Sequence, residues 1–225
     1  MDDSTETARR LGQVPLFRGI DDVVLEELGR RSGRRSFGAG ETIFVEGEPP
    51  EGLYLLDSGW VRVVKSSAQG REQVLQFVGP GEMFNTVAVF SSGANPATAI
   101  ALEPSDVTVL PREAVREIMR GDQDFSLRVL ENMADRLIYL VGLVADLSLR
   151  SVTGRLAQLI LDGAVDGVLQ RPRWYTYSEL AARLGTVPDV IQRAVGKLEG
   201  DGLIAVSRRE IRVLDGEALH ERAEE

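Results

Sequence analysis

Thr176-Tyr-Ser-Glu-Leu-Ala-Ala-Arg-Leu-Gly-Thr-Val-Pro-Asp-Val-Ile-Gln-Arg-Ala-Val-Gly-Lys-Leu-Glu-Gly-Asp-Gly-Leu-Ile204 holds two helical patterns on either side of one glycine. Leu180 and Leu184 are one turn apart, Gly185 can supply the turn, and Ile191, Val195 and Leu198 recur at i, i+4 and i+7. Thr186 is expected to cap the second helix, with Asp189 in the capping-box position and Pro188 in the first turn, where backbone donors are free. Asp189, Gln192 and Arg193 then project together from the face opposite the apolar stripe, and all three are side-chain types that read base edges. The pattern predicts a helix-turn-helix with its recognition helix exposed. The plain alternative for Asp189 and Arg193 is an i,i+4 surface pair of about 0.3–0.5 kcal/mol.

Downstream, Leu203 to Val206 and Glu210 to Leu214 are short apolar runs around Ser207, Arg208 and Arg209, which predicts a hairpin with a basic tip. A helix pair followed by such a hairpin is a winged helix. Arg208 and Arg209 would meet phosphates, where cations position a protein without reading sequence.

The net charge of -9 over 225 residues at first opposes a polyanion partner. Its distribution reverses that reading. Residues 1–149 hold 15 Arg and Lys against 23 Asp and Glu, whereas residues 171–212 hold 8 against 5. The modest local excess implies a dimer that doubles the phosphate contacts. The absence of cysteine excludes disulfides, cysteine nucleophiles and thiolate-held iron–sulfur clusters. With no apolar run of about 18 residues and a polar, acidic start, the expectation is no membrane partner, no secretory signal and a cytoplasmic location.

Read in order, a polar tail leads to a short helical entry over Asp21 to Arg31, where Val24, Leu25 and Leu28 share a face. From Arg35 to Leu110 the period becomes two, in runs at Thr42–Val45, Leu53–Leu56, Trp60–Val64, Val74–Val78 and Val107–Leu110, punctuated by glycines. This predicts an antiparallel β-barrel or β-roll. Helices are expected at Arg112 to Arg120, from Asp122 onward, and from Val152 to Ala164; Asp162 to Pro172 reads as loop. In the long helix Leu130, Met133, Leu137, Leu140, Val144 and Leu147 step by alternate threes and fours, an a/d seam for a homodimer. Ile138, Val141 and Ala145 form a second line expected to pack on the roll. The overall expectation is α+β, with a β-roll sensor domain at 1–120, a dimerisation helix at 121–149 and a winged helix-turn-helix at 150–225.

Phe37-Gly-Ala-Gly-Glu-Thr-Ile-Phe-Val-Glu-Gly-Glu, Gly52-Leu-Tyr-Leu-Leu-Asp-Ser-Gly-Trp-Val-Arg-Val and Gly79-Pro-Gly-Glu-Met-Phe resemble the cyclic-nucleotide-binding roll. With the helix pair that follows, the chain from Leu16 to Leu214 resembles a Crp/Fnr family transcription regulator. That resemblance implies a homodimer on a palindromic site in double-stranded DNA, and surface contacts to RNA polymerase. It implies that Arg193 reads guanine, and that Thr176, Ser178, Ser207 and Arg209 meet phosphates. Asp189 stands where the family usually has Glu, and Pro188 where some members have a base-reading Arg.

The ligand site departs from the family pattern. Aligned on Gly81-Glu82-Met83-Phe84, the ribose-binding Glu falls on Thr86 and the phosphate-binding Arg-Ser pair on Pro96 and Ala97. A buried phosphate needs a cation or converging donors, so cyclic AMP is not the expected effector. Gly81, Glu82, Asn85, Thr86, Asn95 and Thr98 are candidates to line a pocket for a less charged ligand, or plain turn formers. No catalytic or metal-binding residues are assigned. The iron–sulfur branch is excluded; haem stays open through Met83, Met119, Met133 or His220. A cupin-type enzyme would need clustered histidines, and the chain has His220 alone. The alternative function is a cyclic-nucleotide-like regulatory module that does not bind DNA.

Overall fold

A computed structural model describes residues 3–68, 70 and 72–224. Two compact units emerge: one takes the chain up to Lys65 with Leu75–Leu137, the other Ser66–Val74 with the chain from Ile138 onward.

In the first unit the stretch expected as a polar tail is helical. Asp3–Gln13 is a helix, α1, and Leu11, Ala8 and Thr7 on its inner face are buried. Only a few apolar residues mark that face, too few to reveal a period. A single turn at Pro15–Phe17 leads to α2, Asp22–Arg31, whose start is fixed by Asp21, the Oδ1 of which accepts the Val23 N–H at 2.8 Å.

Among the described residues eight strands follow: β1 Gly33–Phe37, β2 Thr42–Phe44, β3 Gly52–Ser58, β4 Val61–Ser66, β5 Glu72–Val78, β6 Met83–Phe84, β7 Thr98–Ala101 and β8 Ser105–Pro111. They form two four-stranded sheets, ordered β1-β8-β3-β6 and β2-β7-β4-β5. Strands β1, β6 and β7 were not expected from sequence. β1 is almost wholly exposed and β6 has two residues, so neither carries an apolar alternation. Every residue from Gly52 to Leu56 is buried because β3 has a core on each face. Leu53 and Leu55 join the cluster under the helices, with Phe17, Leu28, Leu110 and Phe125. Tyr54 and Leu56 point into the roll with Phe44, Val78, Phe84 and Val107. Gly52 admits no side chain, since a Cβ there would lie 2.1 Å from the Leu110 carbonyl oxygen across the β3–β8 pair. A short helix α3, Thr86–Phe90, interrupts the roll, and α4, Arg112–Gly121, closes it.

α1 is tied to the sheet by charge. The Asp57 carboxylate, on β3 and only 6% exposed, takes a hydrogen bond from Arg10, accepts from the Thr108 hydroxyl at 2.8 Å and lies 3.6 Å from Arg34 Nε.

The long helix α5, Gln123–Leu149, runs from the first unit into the second. Its two apolar lines do not divide as expected. Leu130, Leu137 and Val144 of the anticipated seam are exposed, but Met133 packs on the first unit's core, and Leu140 and Leu147 are half-buried. Ile138, Val141 and Ala145, expected to lie against the roll, are exposed instead. At 3.6 residues per turn, Leu130, Leu137, Val141 and Val144 cluster on one side, with Met133, Leu140 and Leu147 about a quarter-turn away. The uncovered stripe therefore comprises Leu127, Leu130, Leu137, Ile138, Val141 and Val144.

In the second unit, α6 spans Val152–Gly163, β9 Val168–Gln170, α7 Tyr177–Leu184, α8 Pro188–Gly200, β10 Ile204–Val206, β11 Glu210–Val213 and α9 Gly216–Ala223. Ser151 caps α6, its hydroxyl accepting from the Gly154 N–H at 3.0 Å. The expected loop at Asp162 to Pro172 contains β9, which pairs with β11 to make a three-stranded sheet, β10-β11-β9. Among the described residues no helix is long and apolar enough to cross a membrane.

Candidate nucleic-acid interface

α7 and α8 hold one another through Leu180, Leu184, Ile191, Val195 and Leu198, all buried, so the apolar spacing of the sequence becomes the interior of the helix pair. Thr176 is the cap of α7, its Oγ1 accepting the Glu179 N–H at 3.3 Å. Gly185 ends α7 in the left-handed conformation at φ 66°, and a Cβ there would come within 2.7 Å of Leu147 Cδ2. The expected Thr186 cap of α8 is not formed. The Thr186 N–H instead closes the end of α7 on the Ala181 carbonyl at 2.9 Å, and the cap position falls on Val187. Pro188 forces its predecessor into extended backbone, ψ 154° at Val187, so the helix cannot begin before the proline.

On the outer face of α8, Asp189, Gln192 and Arg193 are all exposed and stand on one side. The Arg193 Nε donates to the main-chain carbonyl of Asp189 at 3.4 Å. That contact ties the Arg193 side chain to the main chain one turn earlier and does not involve the Asp189 carboxylate.

The β10–β11 tip consists of Ser207, Arg208 and Arg209, all exposed. Ser207 organises it: its hydroxyl oxygen accepts from the N–H groups of Arg209 at 3.3 Å and Glu210 at 3.1 Å, and donates to the Glu210 carbonyl. Its side chain thus shapes the turn. Glu199 on α8 accepts the Val206 N–H at 2.9 Å, fixing the wing to the recognition helix. Ser178 is exposed on the first turn of α7. Arg171, not among the residues expected at the interface, sits between wing and helix pair, its guanidinium carbon 5.5 Å from the centre of the Tyr177 ring. Lying in an expected loop, it carried no periodic signal. Next to it Tyr175 is buried, which pushes its hydroxyl pKa up, and Arg183 donates to that hydroxyl at 3.3 Å.

In the roll, the candidate effector residues are occupied with one another and with backbone. Asn85, in the left-handed region at φ 69°, donates to the Gly52 carbonyl at 3.2 Å and to Asn95 Oδ1 at 3.1 Å. Asn95, 3% exposed, donates to the Val45 carbonyl at 3.2 Å. The Thr98 hydroxyl accepts the Glu46 N–H at 3.0 Å, and Glu82 accepts the Gly79 N–H of its own turn at 2.8 Å. Gly81 forms that turn at φ 85° and Thr86 opens α3. Pro96 is exposed and the Ala97 methyl is buried; Lys65 reaches the Pro96 carbonyl at 3.0 Å but is paired with Glu46 at 2.6 Å. Phe44, Tyr54 and Phe84 stack inside the roll with ring centres 5.2–6.0 Å apart. Met83, Met119 and Met133 pack against the helical core, and His220 is exposed 3.9 Å from Glu224. Among the described residues no group of three or more His, Cys, Asp or Glu is placed to hold a metal ion.

Residues 34–122 match the cyclic nucleotide-binding domain family and residues 154–222 the Crp-like helix-turn-helix domain family. The chain is 27% identical, across 95% of its length and 98% of the relative's, to a CRP-like cAMP-activated global transcriptional regulator of Mycobacterium tuberculosis. It is 28% identical to the cyclic AMP receptor protein of Thermus thermophilus, over 92% of this chain and 95% of that one. The fold resembles that of FixK2 from Bradyrhizobium japonicum with a TM-score of 0.75 at 22% identity, covering 84% of this chain and 96% of that one. A roll of this type on the same chain as an exposed recognition helix and wing defines a DNA-binding transcription regulator. The chain belongs to the Crp/Fnr family of such regulators.

Proposed function

We propose that the chain works as a homodimer that places two α8 helices in successive major grooves of an inverted-repeat operator. The observation that carries this is the exposed face of Asp189, Gln192 and Arg193, opposite the buried stripe of α8. Arg193 is assigned to guanine through its two-donor fork, Gln192 to adenine, and Asp189 to a cytosine amino group. Thr176, Ser178, Ser207, Arg208 and Arg209 are assigned to phosphates, Ser207 through the loop it shapes. The α5 stripe from Leu127 to Val144 supports the dimer, since so many exposed aliphatic side chains on one helix face call for a partner surface. Half-sites about 34 Å apart follow from that pairing.

The effector is assigned to a chemistry other than cyclic AMP, although the two relatives above are named for that nucleotide. Neither Pro96 nor Ala97 carries a side-chain donor, and Asn85, Asn95 and Thr98 already bond to one another or to backbone. A cyclic phosphate would be desolvated there without replacement bonds.

Selection of bound duplexes from random DNA, followed by anisotropy titration, tests the reading. Arg193→Ala is expected to cost about 1–3 kcal/mol per half-site and relax one base position. Arg209→Ala should weaken all sequences alike and flatten the salt dependence. Equal, sequence-blind losses for both variants would overturn the assignment, and recovery of no inverted repeat would overturn the dimer.

A further inference from the structure

The wing tip and the first turn of α7 supply the assigned phosphate contacts from two separate loops, and one side chain joins those loops. Arg171 follows β9 directly. Its main-chain N–H donates to the Arg209 carbonyl at 2.6 Å, which extends the β9–β11 ladder to the wing tip. Its guanidinium donates through one terminal nitrogen to the Ser207 carbonyl at 3.2 Å, and through the other to the Tyr175 carbonyl at 3.3 Å. The same group lies over the Tyr177 ring. Tyr175 and Tyr177 flank Thr176, the cap of α7, and Ser207 opens the wing tip. One planar cation therefore spans both loops.

The arrangement has a cost, since the Arg171 Nε is buried without a hydrogen-bond partner. An orphaned donor of this kind is retained only where the remaining contacts offset it. A Lys could not reproduce the bridge, because its single ammonium lacks the planar fork needed to reach two carbonyls while stacked on a ring.

We infer that Arg171 is a positioning residue that locks the wing tip to the start of the helix-turn-helix, so that both sets of phosphate contacts meet DNA as one preformed grip. The inference rests on the phosphate assignments above. Without the bridge, the tip keeps its own Ser207 turn but is no longer held beside the start of α7, so one or two of the phosphate contacts are not made in the complex and affinity falls with them.

Arg171→Lys tests this in the full chain, because it keeps the charge and removes the fork. On a duplex recovered by the selection above, the variant is expected to bind about ten-fold more weakly, with the slope of log affinity against log salt reduced by about one to two phosphate contacts. Discrimination at the base read by Arg193 should stay at the wild-type level. In an Arg209→Ala background Arg171→Lys should cost less than about two-fold, because the contacts it positions are already weakened. Tyr177→Ala removes the ring without touching the bridge carbonyls and should shift the slope in the same direction; it serves as the second route should Arg171→Lys lose its helical circular dichroism. An unchanged salt slope in both variants, or losses from Arg171→Lys and Arg209→Ala that multiply, would overturn the positioning role alone. A wild-type chain that retains no duplex removes the phosphate assignments, and this role with them.

Discussion

Replacing Asp57 should unfasten the amino-terminal helix from the roll, and the structure sets the order of the variants around it. Asp57 Oδ2 accepts from Thr108, which is fully buried, and its carboxylate is shared between Arg10, 19% exposed, and Arg34, 50% exposed. Removing the carboxylate leaves Arg10 in a poorly solvated site whose remaining partners are hydroxyl oxygens, and breaking a pair so enclosed costs about 3 kcal/mol, the lower end of the range for buried pairs. Arg10→Ala should cost less, about 2 kcal/mol, because the stranded carboxylate keeps Thr108 and gains from Arg34 a contribution screened by solvent. The double replacement Arg10→Met with Asp57→Leu removes both charges and should recover most of the loss. Urea unfolding followed by circular dichroism measures these differences. An Asp57→Ala variant within about 0.5 kcal/mol of wild type, or one more stable than Arg10→Ala, would refute the view that this charge cluster holds α1 in place.

Two further tests address the roll and the helix-turn-helix. Burial pushes the Tyr54 hydroxyl pKa up to about 12, so the folded protein holds that proton more tightly than the unfolded chain; the associated stability is complete below pH about 10 and lost as pH rises towards 12. Alkaline unfolding should therefore show a decline of at most about 3 kcal/mol across that window, and Tyr54→Phe should flatten it; an unchanged pH profile in Tyr54→Phe would assign the decline elsewhere. Gly185→Ala should cost about 1–2 kcal/mol for the left-handed backbone alone, with the Leu147 methyl forced aside, and a melting temperature equal to wild type would contradict the turn geometry.

The helix pair was legible because its burial is local: Leu180, Leu184, Ile191, Val195 and Leu198 repeat with the period of the helix they build. The wing was legible because strands and tip are contiguous. β9 was not, since its three residues acquire their structure from a strand 40 to 44 positions away, Gln170 against Glu210 and Val168 against Arg212. Thr186 misled because a capping residue and a helix-ending residue look alike in sequence, and the following Val187-Pro188 pair decided between them. On α5, spacing revealed two apolar lines but could not say which would be covered by the chain's own core; Met133 turned inward and Val141 outward. The candidate effector residues were recognised as turn formers and polar lining alike, and three-dimensional pairing of Asn85 with Asn95 shows where their hydrogen bonds go.

The aliphatic stripe on α5 has a consequence for the life of the protein before it ever meets DNA. A newly made subunit displays Leu130, Leu137, Ile138, Val141 and Val144 to water over several helical turns. In the proposed dimer that stripe is covered, so lone subunits would be the form most open to clumping and to capture by quality-control machinery, and the cellular level of this regulator would then respond to the odds that two nascent copies meet.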